Sequence, residues 1–444
     1  MKRTIKLAVV AALALGATSA FATNGSTMLG MGAKTRGIGG IGIGMGHGAE
    51  SALSNPALIT TIKKDNEISF GGTLFMPDVE VSNTLHDGVS AFTSGSADSD
   101  SDMFVIPSVS VASKINDNFY AGVGMWGTGG LGVDYRDTPS VLLGGSNMQM
   151  VTALQLMQFG VPLVYVRDNY SIGITPIIQY GSLDIDYEHP GQPSRNASGD
   201  LIGGYAVDPG TKYGSGANDD LAFGYNIGLA YETNGITIGA VYKSEIEMEY
   251  KGVMSSTISP FVNTQLNPSG YTNDKLSSPA EMGVGVSYNM NEHTIALDWK
   301  NINWSDAAGY EDFEWEDQDV ISIGYEYATT GWAVRCGYAF ADSAVKEQTV
   351  TWGASPGGDP LETTYNSAGL SAGTINTFNA LGFPGNVESH FTIGGTYKIS
   401  EMISVDLAAV FAAENEQTFT NFAGQDIKVA HSETSYSFQL NYAF

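Results

Sequence analysis

The β-like stretches of this chain are joined by connections that alternate between short and long. That ordering constrains the fold more than any motif does. Fourteen stretches are expected as strands: 66–77, 101–115, 119–135, 151–166, 170–188, 220–232, 236–250, 279–289, 293–305, 318–328, 332–344, 387–399, 403–418 and 433–444. Short connections fall at 116–118, 167–169, 233–235, 290–292, 329–331 and 400–402. Long ones fall at 78–100, 136–150, 189–219, 251–278, 306–317, 345–386 and 419–432. A β-sandwich has no reason to sort its loops this way. A transmembrane barrel has, because its turns are short on one side of the membrane and long on the other, and bacterial barrels close with an even strand number. The expected fold is all-β: a transmembrane antiparallel β-barrel of 14 strands with both termini periplasmic.

The last strand shows the pattern most clearly. Tyr436, Phe438, Leu440, Tyr442 and Phe444 share one face, and Ser437, Gln439, Asn441 and Ala443 the other. After residue 22 no uncharged apolar run is long enough for a membrane-spanning helix. In lipid, strands satisfy their backbone groups only by closing into a barrel. A charge facing lipid near the midplane costs roughly 2–4 kcal/mol, so the charged residues of these strands are expected in the lumen. By alternation Ile236, Ile238, Ala240 and Tyr242 face out, and Lys243, Glu245, Glu247 and Glu249 face in. Ile295, Leu297 and Trp299 face out and Asp298 and Lys300 in. Trp332, Val334, Cys336 and Tyr338 face out and Arg335 in.

The chain opens with Lys2, Arg3 and Lys6, an apolar run from Leu7 to Ala20, and Ala20-Phe21-Ala22. This is the order of a secretory signal peptide cleaved after Ala22, and the run is too short to span a bilayer. Without those three cations 17 Lys and Arg face 47 Asp and Glu, a net charge of about −30. Such a chain does not seek nucleic acid or an anionic membrane surface through bulk charge. Its single cysteine, Cys336, excludes an intramolecular disulfide framework.

Residues 23–64 are glycine-dense, moderately apolar and too irregular for an amphipathic helix. They are expected to form a plug, or hatch, with the barrel (65–444) closed around it. Gly39, Gly40, Gly42, Gly44 and Gly46 superficially suggest a dinucleotide loop. That motif needs a strand before it and a long helix after it, whereas here a processing segment precedes it and the Asn55-Pro56 turn soon follows.

Three features argue against a plain water-filled bore. Gly127, Gly129, Gly130 and Gly132 cluster in the third strand and invite a bend or bulge. Pro107, Pro162 and Pro176 lie in neighbouring strands, where a missing donor requires a bulge or gap. Leu142, Leu143, Met148, Met150, Leu154, Met157 and Phe159 supply apolar groove candidates, methionine suiting surfaces that accept varied shapes. No GxSxG elbow stands between a strand and a helix, and the six histidines are scattered, which leaves no catalytic set. Asp98, Asp100 and Asp102, and the acidic run 311–319, lack the spacing of a calcium loop and read as solvated. No cofactor or metal site is expected.

The chain resembles the FadL family, outer-membrane transporters of long-chain fatty acids and other hydrophobic compounds, including toluene-type channels. The resemblance rests on Asn24-Gly25, the GAKTRGIGGIGIGMG run and Asn55-Pro56-Ala57-Leu58. It continues in the glycine-rich third strand, AVRCGYAF from Ala333 to Phe340, and the terminal Phe444. It implies a monomeric fourteen-stranded barrel in the bacterial outer membrane, among lipid and lipopolysaccharide, with a hatch at 23–64. An outer-loop groove around 141–159 and 189–219 takes up ligand, which leaves sideways near Gly127–Gly132. Carboxylate ligands need a charge-assisted partner, for which Arg335, Lys300 and Lys243 are the lumenal candidates. Neutral aromatic or aliphatic hydrocarbons need none. A surface receptor or adhesin acting through its loops, the 345–386 loop above all, is the reading from another class. That loop's Gly, Thr, Ser and Asn content suggests a surface elaboration.

Overall fold

The computed structural model describes residues 24–84, 95–138, 148–196, 198, 200–358 and 360–444. The expected signal peptide, Leu142 and Leu143 lie outside them. Fourteen strands form the wall: β1 (Asn66–Thr84), β2 (Phe104–Lys114), β3 (Phe119–Asp134), β4 (Val151–Gly160 and Leu163–Arg167), β5 (Tyr170–His189), β6 (Asn218–Thr233) and β7 (Ile236–Lys243). Then come β8 (Ala280–Met290), β9 (His293–Asn303), β10 (Gln318–Ala328), β11 (Trp332–Phe340), β12 (Ser389–Lys398), β13 (Ile403–Thr420) and β14 (Asp426–Ala443). Neighbours pair antiparallel, and β14 closes onto β1 from Glu67 opposite Ala443 to Thr84 opposite Asp426. Among the described residues no helix is long and apolar enough to cross a membrane, so the strands must.

The two faces separate as alternation demands. Tyr436, Phe438, Leu440 and Tyr442 are exposed on the outer wall, while Ser437, Gln439 and Asn441 are buried in the lumen. Asp298 and Arg335 are buried and Cys336 is exposed. The prolines sit where the ladder is broken. Val161 and Pro162 interrupt β4, where the Val161 N–H reaches the carbonyl of Pro176 at 3.2 Å. Pro107 lies just past the last β2–β3 pair, Ser108 with Trp126.

Four expectations are corrected. β7 ends at Lys243, and beyond it the phase slips: Ile246, Met248 and Tyr250 turn inward while Glu245, Glu247 and Glu249 are exposed. Glu247 pairs with Lys275 at 2.8 Å. Outside the bilayer a carboxylate faces water without the lipid penalty, and the apolar residues are free to cap the lumen. The final outer connection is also shorter than read, because β13 runs to Thr420 and β14 starts at Asp426.

The third correction is the 345–386 loop, which is a surface elaboration only in its first half, around the largely exposed hairpin of Trp352–Ala354 and Pro360–Glu362. The described α-helices are α1 (Ala33–Arg36), α2 (Ser51–Ser54), α3 (Val253–Ile258) and α4 (Ala372–Leu381). Every residue of α4 is buried, its N-terminus capped by Ser371, which accepts from the Thr374 N–H. With α3 and the 304–315 segment it lids the outer mouth over a continuous aromatic core. Phe313 and Trp315 alternate inward from the acidic run while Glu314 and Glu316 stay exposed. The composition of both segments looked polar because only half of each is wet.

The fourth concerns the N-terminal side. Asn24, the first described residue, is buried inside the barrel and not at its periplasmic rim. Next to it Gly25, at φ 62°, lies so near Trp304 and Trp315 that a Cβ would stand 2.6 and 2.9 Å from their rings.

Candidate functional site

Residues 24–64 fill the lumen and are held by side chains that alternation points inward. The Asp298 carboxylate accepts three consecutive amide hydrogens, from Gly42 and Ile43 at 2.8 Å and Gly44 at 3.0 Å. Ser287 donates to the Gly44 carbonyl at 2.7 Å, Gln439 accepts from Ala33 N–H at 2.9 Å, and Thr392 accepts from Gly39 N–H at 2.8 Å. Buried amides left without such partners would be costly, which is why the wall's inner face is polar here. The wall also steps aside for the hatch backbone. A Cβ on Gly337 would stand 2.3 Å from Gly39 N, and one on Gly239 1.8 Å from the Ile43 carbonyl oxygen.

Asn55, Pro56, Ala57 and Leu58 form a corner of this segment. Asn55 caps the 3-10 turn Pro56–Thr61, its Oδ1 accepting from Ala57 N–H at 3.1 Å. Its Nδ2 donates to Ile43 at 2.9 Å and across to Leu229 of β6 at 3.2 Å. Pro56 occupies the first helical position, where no N–H is needed.

Near the short-turn end Lys34 sits 3.4 Å from Glu50 and 3.7 Å from Asp406. Burial pushes the Glu50 carboxyl up to about 8 against the pull of Lys34. Burial lowers the His47 imidazole to about 3, and its Nε2 contacts the Ile41 carbonyl at 2.8 Å. Lys34 itself is held above its ordinary range, because Asp406, Glu50 and Glu67 outweigh its burial.

The four glycines of β3 lie beside a break in the wall. Pairing of β2 with β3 stops at Ser108–Trp126, whereas β3 with β4 continues to Asp134–Val151, slipping register between Gly127 and Gly129. The edge of β3 above Trp126 therefore has no β2 partner. The chain's own start takes that place: Met28 N–H donates to the Thr128 carbonyl at 3.2 Å, and Gly130 N–H to the Ser26 carbonyl at 3.0 Å. At Gly129 a Cβ would stand 2.5 Å from the Ser26 carbonyl oxygen, so glycine permits this approach. Ile106 of β2 fills what is left, lying 2.6 Å from where a Gly127 Cβ would be. Gly132 stands further along the same strand, opposite Ala153.

Of the groove candidates, Met148, Met150 and Leu154 join the buried core beneath the lid, whereas Met157 and Phe159 take the outward phase of β4, opposite Tyr180 and Ile178. The structure thus divides this set between the two faces of the wall, with Met157 buried nonetheless. The three cations are also divided. Arg335 is spent on Glu326 (2.6 Å) and Thr396 (2.8 Å), near the short-turn end. Lys243 and Lys300 converge on one carboxylate, Glu281, at 2.9 and 4.0 Å. Two cavities of about 50 and about 40 Å³ flank Ser26–Met31, and both are lined by Lys243 and Glu281. They are far smaller than ordinary ligand pockets, which start near 300 Å³.

Sequence reasoning missed the aromatic triad above these cavities. Trp304, Tyr310 and Trp315 pack with centroids 4.6–5.0 Å apart, and Tyr310 bonds Ser26 Oγ at 3.2 Å. Trp315 Nε1 donates to Asn379 of α4 at 3.0 Å. The available signal was the spacing of large aromatics within a loop otherwise acidic. Among the described residues no group of three or more His, Cys, Asp or Glu could hold a metal ion.

A closed fourteen-stranded barrel, polar within, apolar without and with residues 24–64 packed against its inner face, defines an integral outer-membrane protein. Residues 7–360 match the family described as outer membrane protein transport protein (OMPP1/FadL/TodX), and the chain belongs to it. It is 23% identical to a long-chain fatty acid transport protein of Escherichia coli O6:H1, over 91% of this chain and 92% of that one. The 47 kDa outer membrane protein of Pasteurella multocida is also 23% identical, over 91% and 92%. Among solved structures, a Pseudomonas aeruginosa FadL homologue aligns with TM-score 0.65 and 16% identity, covering 95% of this chain and 100% of that one. The Pseudomonas putida toluene transporter TodX aligns with TM-score 0.64 and 18% identity, covering 95% and 100%. These likenesses show a shared barrel fold.

Proposed function

We propose that this protein passes hydrophobic compounds across the outer membrane without an energy source, as a monomer, and releases them sideways through the break between β2 and β3. The observation that carries this reading is the edge of β3 at Gly127–Gly132, covered by Ser26–Met28 and the Ile106 side chain and not by a strand. Further along, Asp134 is held by Ser99 and Asp100, but across Gly127–Gly132 the covering is two backbone hydrogen bonds and one side chain, which is removable, whereas a strand ladder is not. A compound leaving there enters lipid directly and never meets water.

Ligand would be gathered among the apolar residues the outer loops expose, Ile202, Leu266 and Trp352. It would descend past the methionines Met148, Met150, Met248 and Met254 of the core. The small cavities beside Ser26–Met31 must widen to receive it, so displacement of that segment is the opening step. Lys243 and Lys300, which converge on Glu281 and line the small cavity, are better placed than Arg335 to meet a carboxylate. The long-chain fatty acid transport protein and the toluene transporter among its likenesses bracket the ligand class: amphiphilic acid at one end, neutral aromatic at the other.

The test is uptake of a long-chain fatty acid and of toluene into proteoliposomes by the wild type and by Gly129→Val/Gly130→Val. The β-branched side chains straighten and stiffen the glycine bend and put bulk into the gap that a leaving compound must use. Uptake of both compounds is expected to fall about tenfold or more, a barrier change of about 1.4 kcal/mol, while heat-shifted gel mobility still reports a folded barrel. Unchanged uptake by the folded variant would exclude lateral release at this place.

A further inference from the structure

The lipid-facing wall carries a groove of about 490 Å³ close to the short-turn end of β4–β8, within the size range of small-molecule sites. Its sides are Tyr165, Ile172, Leu229, Ile238 and Val284, and Ala240, the small residue among them, makes the depression. Tyr170 and Tyr231, with ring centroids 4.7 Å apart, close it toward the membrane interface, where aromatic girdles lie. Arg167 stands at that rim with its side chain 77% exposed, and its one ion pair among the described residues is with the still more exposed Asp168, at 4.0 Å.

We propose that this groove binds one glycerophospholipid of the periplasmic leaflet, an acyl chain lying over Leu229, Ile238 and Val284 and the phosphate held by Arg167. The position leaves a lipid as occupant, because this face of an outer-membrane barrel meets nothing else. The short turns place it in the periplasmic leaflet, whose lipids are phospholipids. Lipopolysaccharide fills the opposite leaflet, at the long-loop end. Arg167 supplies the charge complement, since a guanidinium forks onto phosphate oxygens.

The floor gives this lipid a structural role. Ala230 and Gly239 line the groove from below, and on their lumenal side they meet the hatch. Ala230 packs with Ala57 and Leu58, and Gly239 lies against Ile43 and Asn55. The wall here is one backbone thick between the lipid and the Asn55-Pro56 corner. The bound chain fills the outside of the strands that anchor the hatch inside.

The experiment is native mass spectrometry of the full-length protein in mild detergent, titrated with dioleoyl phosphatidylglycerol and, separately, with dioleoylglycerol, which lacks the phosphate. The wild type is expected to retain one phosphatidylglycerol and to prefer it over dioleoylglycerol. Ala240→Phe fills the groove with an apolar ring that lipid tolerates, and should reduce retention about fivefold or more. Arg167→Gln should bind the two lipids alike. Heat-shifted mobility checks that each variant is folded, and Arg167→Gln decides the question should Ala240→Phe fail to assemble. Equal retention of phosphatidylglycerol by all three proteins would mean ordinary boundary lipid and would overturn the proposal.

Discussion

Three amide hydrogens in a row, those of Gly42, Ile43 and Gly44, end on one carboxylate. Hydrogen bonds to a charged group contribute roughly 1.5–3 kcal/mol each, and buried donors left bare cost about as much again. Asp298→Ala should therefore loosen the hatch by several kcal/mol without disturbing the outer wall. Amide exchange at residues 38–46 is expected to speed up at least tenfold, a change of about 1.4 kcal/mol; exchange as slow as in the wild type would mean that shape alone holds the hatch. Alternation was enough to aim Asp298 into the lumen. Its use was not legible, because its partners are backbone amides more than 250 positions away with no side-chain signature. A second residue sets a pH dependence. With its carboxyl raised from 4.5 to about 8, Glu50 holds its proton more tightly in the docked hatch than in an exposed chain. Its contribution to docking is thus full below about pH 4.5 and is lost as pH rises through about 8. Hatch exchange, corrected for intrinsic rate, should be faster at pH 9 than at pH 6. Glu50→Gln should flatten that dependence. A hatch that tightens with rising pH would reverse the sign and refute the assignment.

Glycines on the wall strands differ in what they face, and that difference predicts which can be replaced. A Cβ on Gly337 of β11 would enter the hatch backbone at 2.3 Å, and backbone on both sides leaves nothing to yield. Gly331, in the turn before the same strand, has open space. Gly337→Val should give a barrel that assembles with its hatch undocked, admitting polar solutes that the wild type excludes; Gly331→Ala should behave as wild type. Liposome swelling in a small sugar measures both, and equal swelling would remove the close-approach argument. Elements built on lipid-facing alternation were legible from sequence: β10 has the bounds read for it, 318–328, because its outward isoleucines and inward Ser322 and Gln318 alternate without a break. Outside the bilayer the rule fails. At Lys243 water replaces lipid, the penalty on outward charge vanishes, and Glu245, Glu247 and Glu249 reverse the face expected of them. The helix α4 was hidden for a related reason, since Asn376 and Asn379 look like loop residues until their amides are seen bonded to Thr420 and Phe313. Because α4 is part of the lid, deleting 345–386 would unroof the chamber, and its loss of function would not by itself argue for a receptor.

At the scale of the whole molecule, the barrel, the hatch and the lid explain passage of something apolar, while the charge of that molecule rests on two lysines. In an acidic chain Lys243 and Lys300 meet behind the Ser26–Met31 segment around Glu281, with Asp298 on the same cavity already accepting the Gly42–Gly44 amides, so a carboxylate brought by a ligand meets two cations close together. A neutral hydrocarbon would gain nothing from either. Replacing Lys300 by methionine keeps the length and apolar bulk and removes one charge. Uptake of a long-chain fatty acid, its parent alkane and toluene by the wild type and Lys300→Met then separates the ligand classes. For an acid transporter, the variant should lose about tenfold or more in acid uptake, the equivalent of about 1.4 kcal/mol, with alkane and toluene unchanged. Arg335→Ala should lower all three together, since Arg335 ties β11 to β10 and β12 through Glu326 and Thr396. Toluene preferred by the wild type, with acid uptake indifferent to Lys300, would place the protein with the hydrocarbon channels and leave the lysines as supports for Glu281. Selective loss of acid uptake in Arg335→Ala, with Lys300→Met unaffected, would move the anchor to the short-turn end and reverse the assignment made from the geometry.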